Sequence, residues 1–246
     1  MDLFWLEETD IPAGSGFVLF GAEHLTAVAV AVIFAAAAAL IYRRHEGARK
    51  GILAAISILL PLTEVFRIIF LLRTGRFGIG HLPLHLCSLS IIFYPLYAML
   101  RPCRIKKFLG AFSCLVLLPA GLGALLFPDW TMYPVISFMS LSSFIWHTLQ
   151  ITLPLCIWAA GEIRPEPQSV FSSIVFLGLV TVPVYFFDRH FSCNYFFLLW
   201  PVPGPFELVY ERFGITGYLP ALAILVVFII LMTYTVMHFS MKGKQL

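Results

Sequence analysis

Two imidazoles and a thiol lie close together in the stretch His81-Leu-Pro-Leu-His85-Leu-Cys87-Ser88, at the start of an apolar segment. A thiolate is a strong nucleophile, but a thiol with a pKa of about 8.5 needs a neighbouring imidazole or cation to ionise at neutral pH. On a helix His81 and His85 share one face, whereas Cys87 is turned by about 200° from His85. This geometry disfavours a three-ligand metal site within the stretch, and a base for Cys87 must come from another segment.

Other polar residues lie inside the apolar segments, where they cost several kcal/mol and usually face the bundle interior or a water-filled cavity. They are Glu23, His24, Glu64, Arg67, His147 and Gln150. The i,i+3 spacing of Glu64 and Arg67 predicts an ion pair, which either neutralises itself or lets Arg67 anchor a phosphate or carboxylate. We expect His147 to be the base for Cys87. The alternative is that Cys87 fills apolar space, as a lone cysteine in a membrane span commonly does.

The composition indicates an integral membrane protein. Of 246 residues, 60% are hydrophobic and 12% charged, whereas about a quarter of a soluble domain is charged. The basic residues form short clusters between apolar runs, so no nucleic-acid-binding face is expected. Five cysteines without CxxC or zinc-finger spacing disfavour a disulfide framework, and we expect no metal or cofactor. A bridge between Cys87 and Cys193 in an oxidising compartment would exclude Cys87 as a nucleophile.

The elements that must position these residues are predicted to be all α-helical. Runs of about 20 apolar residues cross a bilayer, and the chain reads as a single domain with seven such spans. They cover about residues 17–42, 51–72, 82–100, 106–127, 132–160, 169–187 and 217–239. With the N-terminus outside and the C-terminus cytoplasmic, eleven Lys and Arg residues fall in inner connections and four in outer ones, which is the expected bias. The polar candidates then share the outer half of the bundle.

The one long connection, residues 188–216, lies on the predicted outer side. Residues 196–200 are too apolar for a free loop, and Pro201, Pro203 and Pro205 argue against a continuous helix. Non-helical backbone at membrane depth survives when it is buried in protein or lines a cavity. We therefore predict a re-entrant or interfacial lid over the outer half of the bundle. The alternative is a hydrophobic loop that rests on the lipid headgroups.

Five short motifs are spread over nearly the whole chain: Phe-Gly-Ala-Glu-His24-Leu, Glu64-x-x-Arg67, the Leu-Pro-Leu-His85-Leu-Cys87-Ser88 stretch, Trp146-His147, and Asn194-Tyr195-Phe-Phe-Leu before Pro201. In combination they resemble the YwaF-like family of bacterial integral membrane proteins, which are related to the vertebrate transmembrane protein 164. The Leu-Pro-Leu-His-Leu-Cys-Ser stretch is the most specific of them. The chain departs from the family pattern where Trp200 precedes Pro201, since relatives usually carry Asn-Tyr-Met and a following Lys-Pro.

The resemblance implies a helical bundle in the bacterial plasma membrane that transfers acyl chains onto phospholipid or lysophospholipid through a cysteine acyl-enzyme. In this hypothesis Cys87 matches the nucleophile and His147 its histidine partner, and the partners are phospholipid and acyl-chain substrates. Arg67 would hold the headgroup phosphate, and Asn194 or Tyr195 would donate to the oxyanion. The other predicted substrate-binding residues are Glu64, His81, His85 and His24.

The alternative class is a non-enzymatic membrane transporter or ligand-binding protein. Here Glu64, His85 and His147 relay protons or bind a ligand in a polar cavity of the outer half, and no bond is made. The chain shows no internal repeat, although many transporter folds are built from two related halves. The sequence leaves both classes open.

Overall fold

The structure, a computed structural model, describes residues 3–7 and 10–242, which are 77% helical and contain no strand. The all-α prediction is therefore confirmed. The helices are α1 (Ala22–Arg44), α2 (Glu46–Arg73), α3 (Ser90–Met99), α4 (Arg104–Phe112), α5 (Leu118–Leu126), α6 (Phe138–Ala159), α7 (Pro167–Phe191) and α8 (Pro205–Lys242). A π turn, Ser113–Leu117, joins α4 to α5, and short 3-10 turns form at Leu3–Trp5, Ile79–His81, Leu86–Leu89 and Tyr195–Phe197.

Five helical runs in the described part of the chain are long and apolar enough to cross a membrane. They are α1, α2, the continuous run Arg104–Leu126, α7 and α8, and each coincides with one of the seven predicted spans. The predicted spans at 82–100 and 132–160 do not meet the same criteria. The first contains the shorter apolar helix Leu86–Met99, and the second contains α6, whose Ser, His, Thr and Gln residues lower its mean hydropathy.

Helix α6 lies at the centre of the bundle, where it packs most extensively against α1 and also against α2 and α5. Eleven of its residues are buried. The Arg104–Leu126 run is also internal, since 67% of its apolar window is buried, against 17–28% in the other four runs. The outer helices thus present apolar side chains to their surroundings, as lipid-facing helices do, while the polar residues of α6 are enclosed.

The last helix begins earlier than the sequence predicted. Helix α8 starts at Pro205, not near residue 217, and is interrupted at Gly214, which adopts a positive φ of 66°. Proline is well suited to the first turn of a helix, where its missing N–H would be unpaired in any case. The predicted absence of helix around the prolines is therefore correct for residues 198–204 and wrong from Pro205 onward.

Hydrogen bonds and charge contacts hold the helices together at the end of the bundle where α1, α3 and α6 terminate. The Oε1 of Glu162 accepts a hydrogen bond from the Tyr42 hydroxyl at 2.8 Å, and its Oε2 accepts one from the Tyr97 hydroxyl at 3.2 Å. A guanidinium nitrogen of Arg49 lies 3.8 Å from Glu162 Oε1, and Lys106 Nζ lies 4.7 Å from the centre of the Tyr97 ring. We call these residues the clamp end of the molecule.

Candidate functional site

A cavity of about 320 Å³ lies at the opposite end of the bundle. Three connections form it: residues 80–85 before α3, the turn after α5, and residues 194–203 before α8. The side chains of His85, Asp129, Asn194, Tyr195 and Trp200 are among those that line it. We call this cavity and the adjoining ends of α2, α6 and α7 the cavity end.

Asn194 gives the 194–203 segment its shape. Its side-chain Oδ1 accepts hydrogen bonds from the backbone N–H groups of Leu199 at 3.0 Å and Trp200 at 3.3 Å, and its Nδ2 donates to the Trp200 carbonyl at 2.9 Å. An amide that binds its own backbone a few residues on closes a loop in this way. The donor predicted for an oxyanion is therefore already used to fold the cavity wall.

Tyr195 fixes the same segment to the rest of the bundle. Its backbone N–H donates to Asp188 Oδ1 at 3.0 Å, and its hydroxyl donates to the Ile79 carbonyl at 2.6 Å. Burial raises the pKa of Tyr195 to about 12, because the charged phenolate is disfavoured away from water. The hydroxyl therefore remains a donor at physiological pH, and it is directed at the backbone that leads into His81.

His85 links the cavity to the bundle interior. The edge of its ring contacts Tyr195, with ring centres 4.8 Å apart, and Phe197 lies at 5.7 Å. Its imidazole is also close enough to Arg67 and to His147 to interact with them electrostatically. Three of the predicted site residues, which come from α2, the stretch before α3 and α6, therefore surround one region.

The ion pair expected from the spacing of Glu64 and Arg67 is present. Arg67 Nε donates to Glu64 Oε2 at 2.9 Å, and Arg67 Nη2 donates both to Glu64 Oε1 at 2.6 Å and to the His81 carbonyl at 2.8 Å. A bidentate pair of this kind is among the stronger hydrogen-bonded contacts in proteins. Its geometry means that the guanidinium holds the backbone of the His81 turn in place.

Both ring nitrogens of His24 and the Nδ1 of His81 form hydrogen bonds within the protein. His24 is fully buried: its Nδ1 accepts from the Phe20 N–H at 3.0 Å, and its Nε2 donates to the Leu125 carbonyl at 2.9 Å. It therefore fastens the start of α1 to the end of α5, away from the cavity lining. His81 Nδ1 accepts from the Gly78 N–H at 3.0 Å and so closes its own 3-10 turn.

The hydrogen bonding of His147 is that of a general base: Nδ1 is held by its own helix, and Nε2 is the nitrogen that can accept a proton. Its Nδ1 lies 2.8 Å from the Ser143 carbonyl, which can only accept, so Nδ1 carries the proton and Nε2 of the neutral ring keeps its lone pair. No hydrogen bond engages Nε2 among the residues that the structure describes. The ring stacks on Trp130 with centres 5.1 Å apart and planes 10° from parallel.

Cys87 is a free, partly exposed thiol in the 3-10 turn that leads into α3. Its carbonyl accepts a hydrogen bond from the Ser90 hydroxyl at 2.6 Å, and its side chain lies against the amide of Gln150, within reach of the charge of Asp129. Cys193 is also a free thiol and is buried. The structure therefore contains no bridge between the two cysteines.

Gln150 was recognised from the sequence as a polar residue inside an apolar segment, but no role was assigned to it. Its carbonyl has no donor from within α6, because Pro154 four residues later has no N–H, and the Tyr94 hydroxyl of α3 donates to it instead. Its side-chain Nε2 donates to the carbonyl of Leu117, in the π turn, at 2.9 Å. A polar residue four positions before a proline within an apolar helix was the available signal.

The interaction of Cys87 with Gln150 relates the thiol to the helix that carries His147. His147 and Gln150 are spaced i,i+3 and share a face of the helix, and Cys87 lies against the second of them. Within residues 3–7 and 10–242, no hydrogen bond joins Cys87 to His147. The same residues contain no group of three His, Cys, Asp or Glu side chains that is suited to hold a metal ion.

Comparison with models of protein families matches residues 19–238 to the family described as the TMEM164 family. The matched region contains all nine predicted site residues, from His24 to Tyr195. No curated protein and no solved structure matches the chain.

Proposed function

The chain belongs to the TMEM164 family, and from this premise we propose that it is a membrane-embedded acyltransferase that acts on phospholipid or lysophospholipid. Two observations support the proposal: Cys87 is a free, partly exposed thiol that interacts with Gln150, and His147, three residues before Gln150 on α6, uses Nδ1 in a hydrogen bond to its own helix and so keeps Nε2 as the basic nitrogen. A nucleophile and a base in this relation are typical of covalent acyl transfer.

The reaction has two balanced steps. His147 Nε2 takes the proton of the Cys87 thiol, the sulfur attacks the acyl carbonyl of the donor lipid, and the carbon–sulfur bond forms as the ester carbon–oxygen bond breaks. The leaving alkoxide takes the proton from His147. In the second step His147 takes a proton from the acceptor hydroxyl, whose oxygen attacks the thioester, and the thiolate leaves and is reprotonated. The base must reach the thiol directly or through one water.

The hydrogen bonds of the site refine the roles that the resemblance implied. Arg67 is paired with Glu64 and the His81 carbonyl, so it would attract a lipid phosphate through its charge while it stays in place. Asn194 and Tyr195 already donate to backbone carbonyls, so they would shape the cavity wall. The cavity beside His85 is then the space for a polar headgroup.

We further propose that the chain crosses the plasma membrane of a bacterium seven times, with the Leu86–Met99 helix and α6 as enclosed crossings. The bias of basic residues places the cavity end outside and the clamp end, with Arg49 and Lys106, in the cytoplasm. Residues 188–204 would form the lid over the cavity. This arrangement gives donor and acceptor lipids access from the outer leaflet.

One observation favours the second class, a non-enzymatic transporter or ligand-binding protein. The cavity is lined by His85 and Asp129 but not by Cys87, so a ligand can occupy it without touching the thiol. In this alternative His85 and His147 would exchange protons with the ligand or with each other, and Cys87 would be dispensable.

Trapping the acyl-enzyme distinguishes the two classes. Purified protein is incubated with a phospholipid that carries a radiolabelled acyl chain, and label on the protein is measured before and after treatment with hydroxylamine, which cleaves thioesters. We expect hydroxylamine-sensitive label on the wild type and none on Cys87→Ser. The matched control is Cys103→Ala, which removes an exposed free thiol near the clamp end and should keep the label.

Transfer measured on the same proteins completes the test. Cys87→Ala should reduce acyl transfer by at least about 10⁴-fold, as expected when a nucleophile is removed, while Cys103→Ala retains the wild-type rate. Wild-type transfer by Cys87→Ala, or hydroxylamine-sensitive label that persists in Cys87→Ser, would overturn the thioester. Lipid profiles of cells that express wild type or Cys87→Ala then identify the acyl donor and acceptor.

A further inference from the structure

Acyl transfer needs a hydrogen-bond donor that the residues discussed so far do not supply. Attack on an ester carbonyl turns its oxygen into an oxyanion, and fixed donors that face this oxygen commonly make the largest single contribution to catalysis. Asn194 donates to the Trp200 carbonyl and Tyr195 to the Ile79 carbonyl, so both side chains are engaged in shaping the cavity wall. The missing donor must be buried close to the reacting groups and be free to bind a substrate oxygen.

Trp130 meets these requirements. Only 8% of its surface is exposed, and its indole Nε1 has no hydrogen-bond partner among the described residues. An indole N–H can donate but not accept, and a buried donor without an acceptor is costly and rare enough to need an explanation. The other buried side-chain donors without a partner in the described part of the chain are Ser140 Oγ, Trp158 Nε1 and Ser173 Oγ. Trp130 differs in that its ring lies directly against His147.

The indole ring is held by two residues of α6 that are one turn apart. It stacks on His147 with ring centres 5.1 Å apart and planes 10° from parallel, and it meets Phe144 in a T-shaped contact at 5.6 Å. Because Trp130 Nε1 and His147 Nε2 both belong to stacked, rigid rings, the stack keeps the unpaired donor close to the base. The preceding residue, Asp129, lines the cavity, so the indole follows directly on the cavity wall.

We propose that Trp130 is a catalytic residue that donates its indole N–H to the acyl carbonyl oxygen as Cys87 attacks. In this step the carbon–sulfur bond forms, the carbonyl π bond breaks with its electron pair moving onto the oxygen, and the thiol proton goes to His147 Nε2. The stacked pair of rings then serves both changes, since the imidazole takes the proton and the indole donates to the oxyanion. The inference rests on the proposed function, which makes Cys87 the nucleophile.

A ketone that cannot complete the reaction tests this role. The Cys87 thiolate adds to the carbonyl carbon of a long-chain alkyl trifluoromethyl ketone, and the adduct keeps an oxyanion because no group leaves. The full-length protein, with ¹⁵N in its indole rings, is titrated with this ketone, and the Trp130 N–H resonance is identified by its loss in Trp130→Phe. We expect the Trp130 proton to move downfield when the adduct forms, because a hydrogen bond to a charged oxygen is short and strong.

The fluorine spectrum of the ketone reports the adduct independently and separates the two proposals. If the adduct forms on the wild type and the Trp130 resonance does not move, the oxyanion role is overturned while Cys87 remains the nucleophile. An equal shift in Cys87→Ala, which cannot form the adduct, would show that the indole binds the neutral ketone and would also overturn the role. If no adduct forms on the wild type, the proposed function fails, and the role of Trp130 fails with it.

Transfer rates provide the second readout. Trp130→Phe keeps a ring to stack on His147 but removes the donor, and loss of one oxyanion donor costs about 10²–10³-fold in kcat. We expect that loss with a KM close to the wild-type value, because the hydrogen bond forms fully only when the oxygen becomes charged. Wild-type kcat in a folded Trp130→Phe would contradict the inference.

The matched control is Trp158→Phe. It also removes a buried, unpaired indole N–H of the described structure, but Trp158 lies at the other end of α6, near the clamp end, so transfer should stay at the wild-type rate. An equal loss of kcat in both variants would show a general effect of indole removal and would overturn the role of Trp130. If Trp130→Phe does not fold, benzothienylalanine at position 130 gives the same test, because it has the shape of tryptophan with sulfur in place of the N–H.

Discussion

At the clamp end, both carboxylate oxygens of Glu162 accept hydrogen bonds, from Tyr42 and from Tyr97. At the cavity end, by contrast, Gln150 Oε1 and His147 Nε2 have no partner in the described part of the chain, and one oxygen of Asp188 is also buried without one. Both ends bring polar side chains from several helices together. They differ in the polar group at their centre: the Glu162 carboxylate uses both oxygens, whereas each of the three cavity-end groups has one atom without a partner. Unpaired buried atoms are not confined to the cavity end, since Trp158 Nε1 near the clamp end is another.

Buried polar groups can serve either stability or function. A satisfied polar network adds to stability and specifies how helices meet, whereas an unsatisfied buried group costs about 1–3 kcal/mol and is kept where function requires it. We therefore expect substitutions at the clamp end to change stability and leave acyl transfer unaffected. Substitutions of the unpaired groups at the cavity end should do the opposite.

The strongest test of this contrast is His147→Phe, which keeps a ring to stack on Trp130 but removes the base. Acyl transfer should fall by about 10²–10⁴-fold, the contribution of a positioned general base, while the melting temperature in detergent stays close to that of the wild type. The control is Thr148→Val, since the Thr148 hydroxyl bonds only the Phe144 carbonyl of its own helix. Wild-type transfer by His147→Phe would remove His147 from the mechanism.

The Glu64–Arg67 pair also tests the comparison between the two ends, because it is a bidentate ion pair at the cavity end. Glu64→Ala should cost about 3–5 kcal/mol of unfolding free energy, since it leaves the Arg67 charge without its partner. The double variant Glu64→Ala/Arg67→Met removes both charges and should recover much of that loss. Thermal unfolding measures both, and equal destabilisation of the single and double variants would contradict the explanation.

Gly121→Ala tests the contact between α5 and α6, on which the cavity end depends. The added Cβ would lie 2.8 Å from Ile151 Cγ2 and 3.2 Å from Gln150 Cδ, and overpacking of this kind costs about 1–3 kcal/mol. Because the clash displaces α6 three residues from His147, acyl transfer should fall together with the melting temperature. Gly123→Ala is the matched control: its Cβ meets nothing within 4 Å, and it should retain activity and lose no stability.

The smallest effect is expected from Glu162→Gln, which replaces the charged acceptor of the clamp end by an amide. It should destabilise the protein by no more than about 1.5–3 kcal/mol, the range for hydrogen bonds to charged groups, with acyl transfer unchanged. The control Glu166→Gln breaks an exposed pair with Lys107, which is worth about 0–1 kcal/mol. A loss of transfer in Glu162→Gln at an unchanged melting temperature would break the contrast between the two ends.

The sequence identified the outer helices because their lipid-facing positions must be apolar, and runs of about 20 such residues are visible without a structure. Helices α1, α2 and α7 begin and end within several residues of the predicted spans. Helix α6 and the stretch before α3 contain most of the candidate site residues, and they are polar or short. Hydropathy is therefore least informative where the candidate site lies.

The contacts of the site were less predictable, because they join residues that are far apart in the chain. Tyr195 and Ile79 are 116 positions apart, and Tyr94 and Gln150 are 56 apart. The spacing of Glu64 and Arg67 did predict their ion pair, since both lie on one helix. Neither the π turn nor the Tyr94 bond to Gln150 follows from a local pattern, because each depends on how three helices meet.

The polarity of α6 also bears on how the protein is made. Helices that leave the translocon one at a time need enough apolar surface to partition into lipid, and α6 carries Ser, His, Thr and Gln along much of its length. Most of its polar side chains bond carbonyl groups of α6 itself, and the helix that packs most extensively against it, α1, is synthesised before it. Integration of α6 would thus depend on the helices that are already in the membrane, which would surround it in place of lipid.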